Sequence, residues 1–112
     1  MVKKTWKRAR RVALRAYSKV LRAAERGDWE EAGALLDMSA CAFCVVQRAD
    51  DPDWRLDELP ATRKQCPTCP ALRICRRAPF MITGRVEEGR ITRREGIRRL
   101  ALTVAQLEAL DV

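Results

Sequence analysis

The chain of 112 residues is one domain's worth, enough for a modest core that a metal staple would reinforce. It contains five cysteines, no histidine and no asparagine, so His-based acid–base relays and Cys-His pairs are excluded, and any soft metal site must be all cysteine. Charged residues make up 34 % and the net charge is +8, with no apolar run near the roughly 18 to 20 residues that a membrane span needs.

The first residues, MVKKTWKRARRVALRAY, carry positive charge as a signal peptide does, but arginines interrupt every apolar run and no hydrophobic region forms. Export is therefore not expected, and an intracellular location keeps the thiols reduced; an odd number of cysteines also cannot pair fully within one molecule. Charge falls in blocks: residues 1–26 sum to +9, 27–62 to −7, 63–99 to +8 and the tail to −2. Two basic segments thus flank an acidic one.

Ala13, Tyr17, Val20, Leu21 and Ala24 recur at three- and four-residue spacing, predicting a first helix from about Trp6 to Arg26 with Thr5 as N-cap. On its other face Arg8, Arg11, Arg15, Lys19, Arg22 and Arg26 follow at steps of three or four, a cationic stripe about 30 Å long that suits a phosphate backbone. Solvation alone, or attraction of Trp6 and the same stripe to anionic lipid, would use these residues too. Gly27 is placed to end the helix in a left-handed conformation, and Asp28 with Glu31 forms a D-x-x-E box opening a second helix through Leu36. Residues 1–37 then make a basic helical hairpin.

Between Asp50 and Pro60 the string DDPDWRLDELP is acidic, bounded by prolines and without helical period, which reads as a loop. Pro70 sits where a helix can begin, ALRICRR supplies two turns carrying Cys75, and Pro79 stops it. Thr92 with Glu95 and Thr103 with Gln106 form two successive capping boxes, predicting helices near 93–101 and 104–111.

The chemistry concentrates in residues 41–77. Cys41-Ala-Phe-Cys44 and Cys66-Pro-Thr-Cys69 are two C-x2-C knuckles at a spacing close to that of four-cysteine zinc sites. A two-residue gap lets a tight turn aim both sulfurs at one ion while its N–H groups stabilise the thiolates. With four protein ligands, Zn2+ has no open position, so such a site is structural and non-enzymatic. Cys75 is either a buried thiol or an alternative ligand: with Cys66, Cys69 and one cysteine of the first knuckle it would complete a set suited to a 4Fe-4S cluster.

The order of a helical hairpin with a GDWEEA turn, CAFC, then CPTCP, a further cysteine, an APF segment and C-terminal helices resembles small, uncharacterised bacteriophage cysteine-cluster proteins. That resemblance covers most of residues 15–110 and implies a viral source and this architecture, but no activity. Over residues 66–75, Cys66, Cys69, Pro70 and Cys75 resemble the iron–sulfur string of WhiB-like regulators, although the tryptophan–glycine turn of that family is missing here. Ile97, Leu100, Ala101, Leu102, Thr103, Leu107 and Leu110 resemble the core and turn spacing of a helix-turn-helix, whose second helix would carry Glu108 and Asp111 toward DNA.

The expectation is a mainly α, small helical domain stapled by a cysteine metal site: a single domain over 1–112, with the hairpin at 1–37, the metal-binding region at 41–77 and C-terminal helices at 83–112. The expected role is non-enzymatic binding of nucleic acid, chiefly through phosphate contacts from helix one and the arginines of 85–99. The rivals are a protein that binds a host enzyme through 50–58 and Trp54, and an iron–sulfur redox regulator. A membrane is not an expected partner.

Overall fold

The computed structural model describes residues 2–39 and 70–112, with side chains from Trp6 to Leu36 and from Pro70 onward. Its elements are α1 (Val2–Glu25), α2 (Trp29–Ser39), α3 (Leu72–Arg76), a 3₁₀ turn at Pro79–Met81, α4 (Ile82–Glu87) and α5 (Arg93–Glu108). The mainly helical class is as expected.

α1 begins at Val2 rather than near Trp6, so Thr5 is a helical residue and not the N-cap. Nothing in Val2-Lys3-Lys4 breaks a helix, and the register simply continues upstream. Ala9, Ala13, Tyr17, Val20, Ala23 and Ala24 are its buried residues. Four of these are alanines, and small side chains let neighbouring helix axes approach closely.

The hairpin forms as the sequence dictates. Gly27 takes φ +81°, its N–H donates to the Ala24 carbonyl at 2.9 Å and the Asp28 N–H to the Ala23 carbonyl at 2.9 Å, the paired bonds of a Schellman ending. Asp28 Oδ1 then accepts from the Glu31 N–H at 3.1 Å to open α2. Glu31 does not close the box. Its carboxylate takes the Arg26 guanidinium at 2.9 Å across the turn.

The short α4 was not individually anticipated from sequence. Its signals are Pro79 opening the preceding turn and Gly89, at φ +74°, just past its end, where the Gly89 and Arg90 N–H groups repeat the Schellman pair on Val86 and Arg85.

The two expected C-terminal helices are one. α5 runs unbroken through Thr103, whose hydroxyl donates to the Arg99 carbonyl at 2.9 Å inside the helix instead of capping a new one. Leu100, Thr103 and Leu107 share the buried face, so a single amphipathic helix satisfies the spacing that resembled a helix-turn-helix, and the turn required by that motif does not exist.

α1 packs against α2 and α5, and α4 packs against the same two helices, so α1 and α4 occupy opposite corners around the core of Val20, Leu36 and Leu100. α1 and α5 run antiparallel. At one end Arg10 Nη1 donates to the Leu110 carbonyl at 2.7 Å, and at the other the Trp29 ring lies against Gly96. That approach is close enough that a Cβ on Gly96 would sit 2.8 Å from the Trp29 ring and 2.6 Å from Val86 Cγ2.

Candidate nucleic-acid interface

α1 sets its basic stripe by helical arithmetic. At 3.6 residues per turn, Arg8, Arg11, Arg15, Lys19, Arg22 and Arg26 fall within an arc of about 80° and over about 27 Å, centred about 140° from the buried face. All six are exposed. Burial of the alanine and valine face against α2 and α5 therefore fixes the outward direction of the guanidinium groups.

The six are not equivalent. Arg26 is engaged by Glu31, whereas Arg8, Arg11, Arg15, Lys19 and Arg22 make no ion pair among the described residues. Arg10, on the flank of the same helix, is half-buried and holds the Leu110 carbonyl, so it acts in the fold rather than on the stripe. Val12, exposed beside the stripe, adds an apolar patch that spacing alone did not draw attention to.

A second basic group lies away from α1. Arg77, Arg98 and Arg99 converge on a groove of about 280 Å³ floored by Pro79, Ile82 and Leu102. Glu95 clamps two of them: Arg98 donates from Nε at 2.8 Å and Nη2 at 2.6 Å, and Arg99 from Nε at 3.0 Å. The hydrogen bonds from Arg98, then from Arg99, hold the Glu95 carboxyl down at about 2, below its ordinary 4.5, and the same contact raises Arg98. The Glu95 N–H meanwhile donates to Thr92 Oγ1 at 3.0 Å, so the expected box caps α5 through its threonine while its acid serves the arginines.

Another cavity, of about 440 Å³, is lined by Gly33, Phe80, Thr83, Glu87 and Arg90 among others. Thr83, at its wall, is a buried residue whose hydroxyl makes no hydrogen bond among the described residues.

Cys41, Cys44, Cys66 and Cys69 lie outside the described residues, as do the acidic segment 50–58 and Trp54. Cys75 is half-buried on α3, beside the buried Ile74. Among the described residues no group of three or more Cys, Asp or Glu is placed to hold a metal ion, and no helix is long and apolar enough to cross a membrane. Comparison of the chain with protein-family models, curated proteins and solved structures gives no match.

Proposed function

We propose that this protein is a non-enzymatic nucleic-acid-binding module, an accessory or regulatory protein of phage origin, that grips the phosphate backbone with α1. The observation that carries this is the set of Arg8, Arg11, Arg15, Lys19 and Arg22, exposed on one face of a helix whose other face is core, and without an ion pair among the described residues. Guanidinium groups not already neutralised by the protein release condensed counterions when they meet phosphate, and this release drives binding regardless of base sequence.

The same proposal assigns Zn2+ to Cys41, Cys44, Cys66 and Cys69 as a closed structural site, with a 4Fe-4S cluster using Cys75 as the alternative. The support is the C-x2-C spacing and the shortage of any other soft ligand in a chain without histidine. An anaerobically purified protein that absorbs near about 400 nm would replace zinc with the cluster.

Fluorescence anisotropy with a labelled duplex at several salt concentrations tests the interface. Micromolar binding at low salt, falling steeply as salt rises, is expected. Replacing Arg8, Arg11, Arg15 and Arg22 with glutamine is expected to weaken binding to every sequence and to flatten the log–log salt slope by up to about 3 to 4. No binding at low salt, or binding indifferent to the four substitutions, rejects α1 as the interface and moves the search to a protein partner for 50–58 and Trp54.

A further inference from the structure

The two basic surfaces described above do not face the same way. α1 stands at one corner of the helix ring, and the groove formed by Arg77, Arg98 and Arg99 is floored by Pro79 and Ile82, at the α4 corner across from it. α5 separates the two.

The groove is cationic by construction. Its lining contains three arginines and no acid. Glu95 stands outside it and cancels one of the two charges it clamps, and the clamp fixes the Arg98 and Arg99 guanidiniums at the groove's lip. On α3 and at its C-cap, Arg73, Arg76 and Arg77 follow at the i, i+3, i+4 spacing of one helix face. All three are exposed and make no ion pair among the described residues.

A duplex is stiff over roughly 150 base pairs, so a segment laid straight along the α1 stripe does not fold back around α5 to reach the opposite corner. Resting on the α1 reading, we propose that the groove and the exposed face of α3 form a second phosphate-binding surface, and that one molecule holds two duplex segments at once. The protein is then a bridge between nucleic-acid segments, and each surface contributes phosphate contacts without base readout.

The test uses beads carrying one biotinylated duplex and a fluorescent second duplex free in solution. The whole protein is expected to carry the fluorescent duplex onto the beads at low salt. The variant R73Q/R76Q/R77Q, altered only at exposed positions and checked for native helical circular dichroism, is expected to lose this co-capture about tenfold or more while single-duplex anisotropy binding stays within about fivefold. R8Q/R11Q/R15Q/R22Q is expected to lose co-capture as well and to keep only a weakened single-duplex binding through the groove surface.

Single-duplex binding without co-capture overturns the bridge and leaves the α1 interface standing. Co-capture that survives R73Q/R76Q/R77Q but not the α1 variant also overturns it, because two copies joined to each other would then be bridging through α1 alone. Absence of single-duplex binding defeats the α1 reading, and the bridge with it.

Discussion

Gly33 and Gly96 both lie inside helices, where glycine costs roughly 1 kcal/mol against alanine, yet alanine is expected to act in opposite directions at the two sites. A Cβ on Gly96 meets Val86 Cγ2 at 2.6 Å and the Trp29 ring at 2.8 Å, both on side chains with little freedom to retreat. Overpacking of this kind costs about 1 to 3 kcal/mol, so Gly96→Ala should lower the urea midpoint. On Gly33 the first obstacle is Glu87 Oε1 at 3.2 Å, the end of a flexible side chain, and Gly33→Ala should be neutral or stabilise by up to about 1 kcal/mol. Thr83 gives a third expectation at this scale. The residue is buried and its hydroxyl has no hydrogen bond among the described residues, so Thr83→Val should hold or raise stability by about 1 kcal/mol in urea unfolding, and a clear loss would show that the hydroxyl is engaged. Residues whose role is local were legible beforehand: Gly27, Asp28 and Thr92 act on backbone within a few positions. Gly96 was not, because its reason is a tertiary approach to Trp29 that no local pattern encodes.

At the scale of elements, α1, α2 and α3 follow from periodicity together with the Gly27, Asp28 and Pro70 signals, while the signal at Thr103 is ambiguous for a physical reason. A T-x-x-Q string serves equally as a capping box or as a mid-helix threonine bonded one turn back, and only the continuous buried face of Leu100, Thr103 and Leu107 decides between them. The first turn of α5 also carries a pH signature. Glu95, in the turn where the helix dipole favours negative charge, is held at about 2 by Arg98 and Arg99. Because the folded value lies below the unfolded one, the stabilisation is fully present above about 4.5 and is lost as pH falls from there through about 2. The melting temperature of Glu95→Gln should therefore lie below that of the native protein by a constant amount near neutrality, with the gap closing across that window. A gap that is unchanged down to pH 2 would show that the clamp does not depend on the carboxylate charge.

At the scale of the whole molecule, the blocks of charge were legible but their placement was not: whether basic segments 1–26 and 63–99 share a face depends on the ring of helices, which emerges only from packing. The cysteine knuckles fall between α2 and α3 in sequence, so the proposed metal would couple to folding in the centre of the chain. Chelation or Cys66→Ser should unfold that centre at a cost of several kcal/mol or more, and helical signal and melting temperature that survive complete metal removal would reject the staple. Cys75→Ala should keep the metal stoichiometry and cost roughly 1 kcal/mol if the four knuckle thiolates are the ligands, whereas metal lost in that variant brings Cys75 into the set. The Arg10 bond to the Leu110 carbonyl has a further consequence for how the molecule is made. α1 and α2 meet across a turn at Arg26–Asp28, but α1 and α5 meet only after everything up to Thr92 has been looped out, an entropic difference of roughly 3 kcal/mol by chain-closure scaling. On the ribosome the hairpin can pair as soon as α2 emerges, while the flank of α1 that receives Arg10's partner stays uncovered until α5 leaves the exit tunnel, so the docking of α5 comes later in folding than the hairpin and a chain stalled before it presents α1's apolar side to its neighbours.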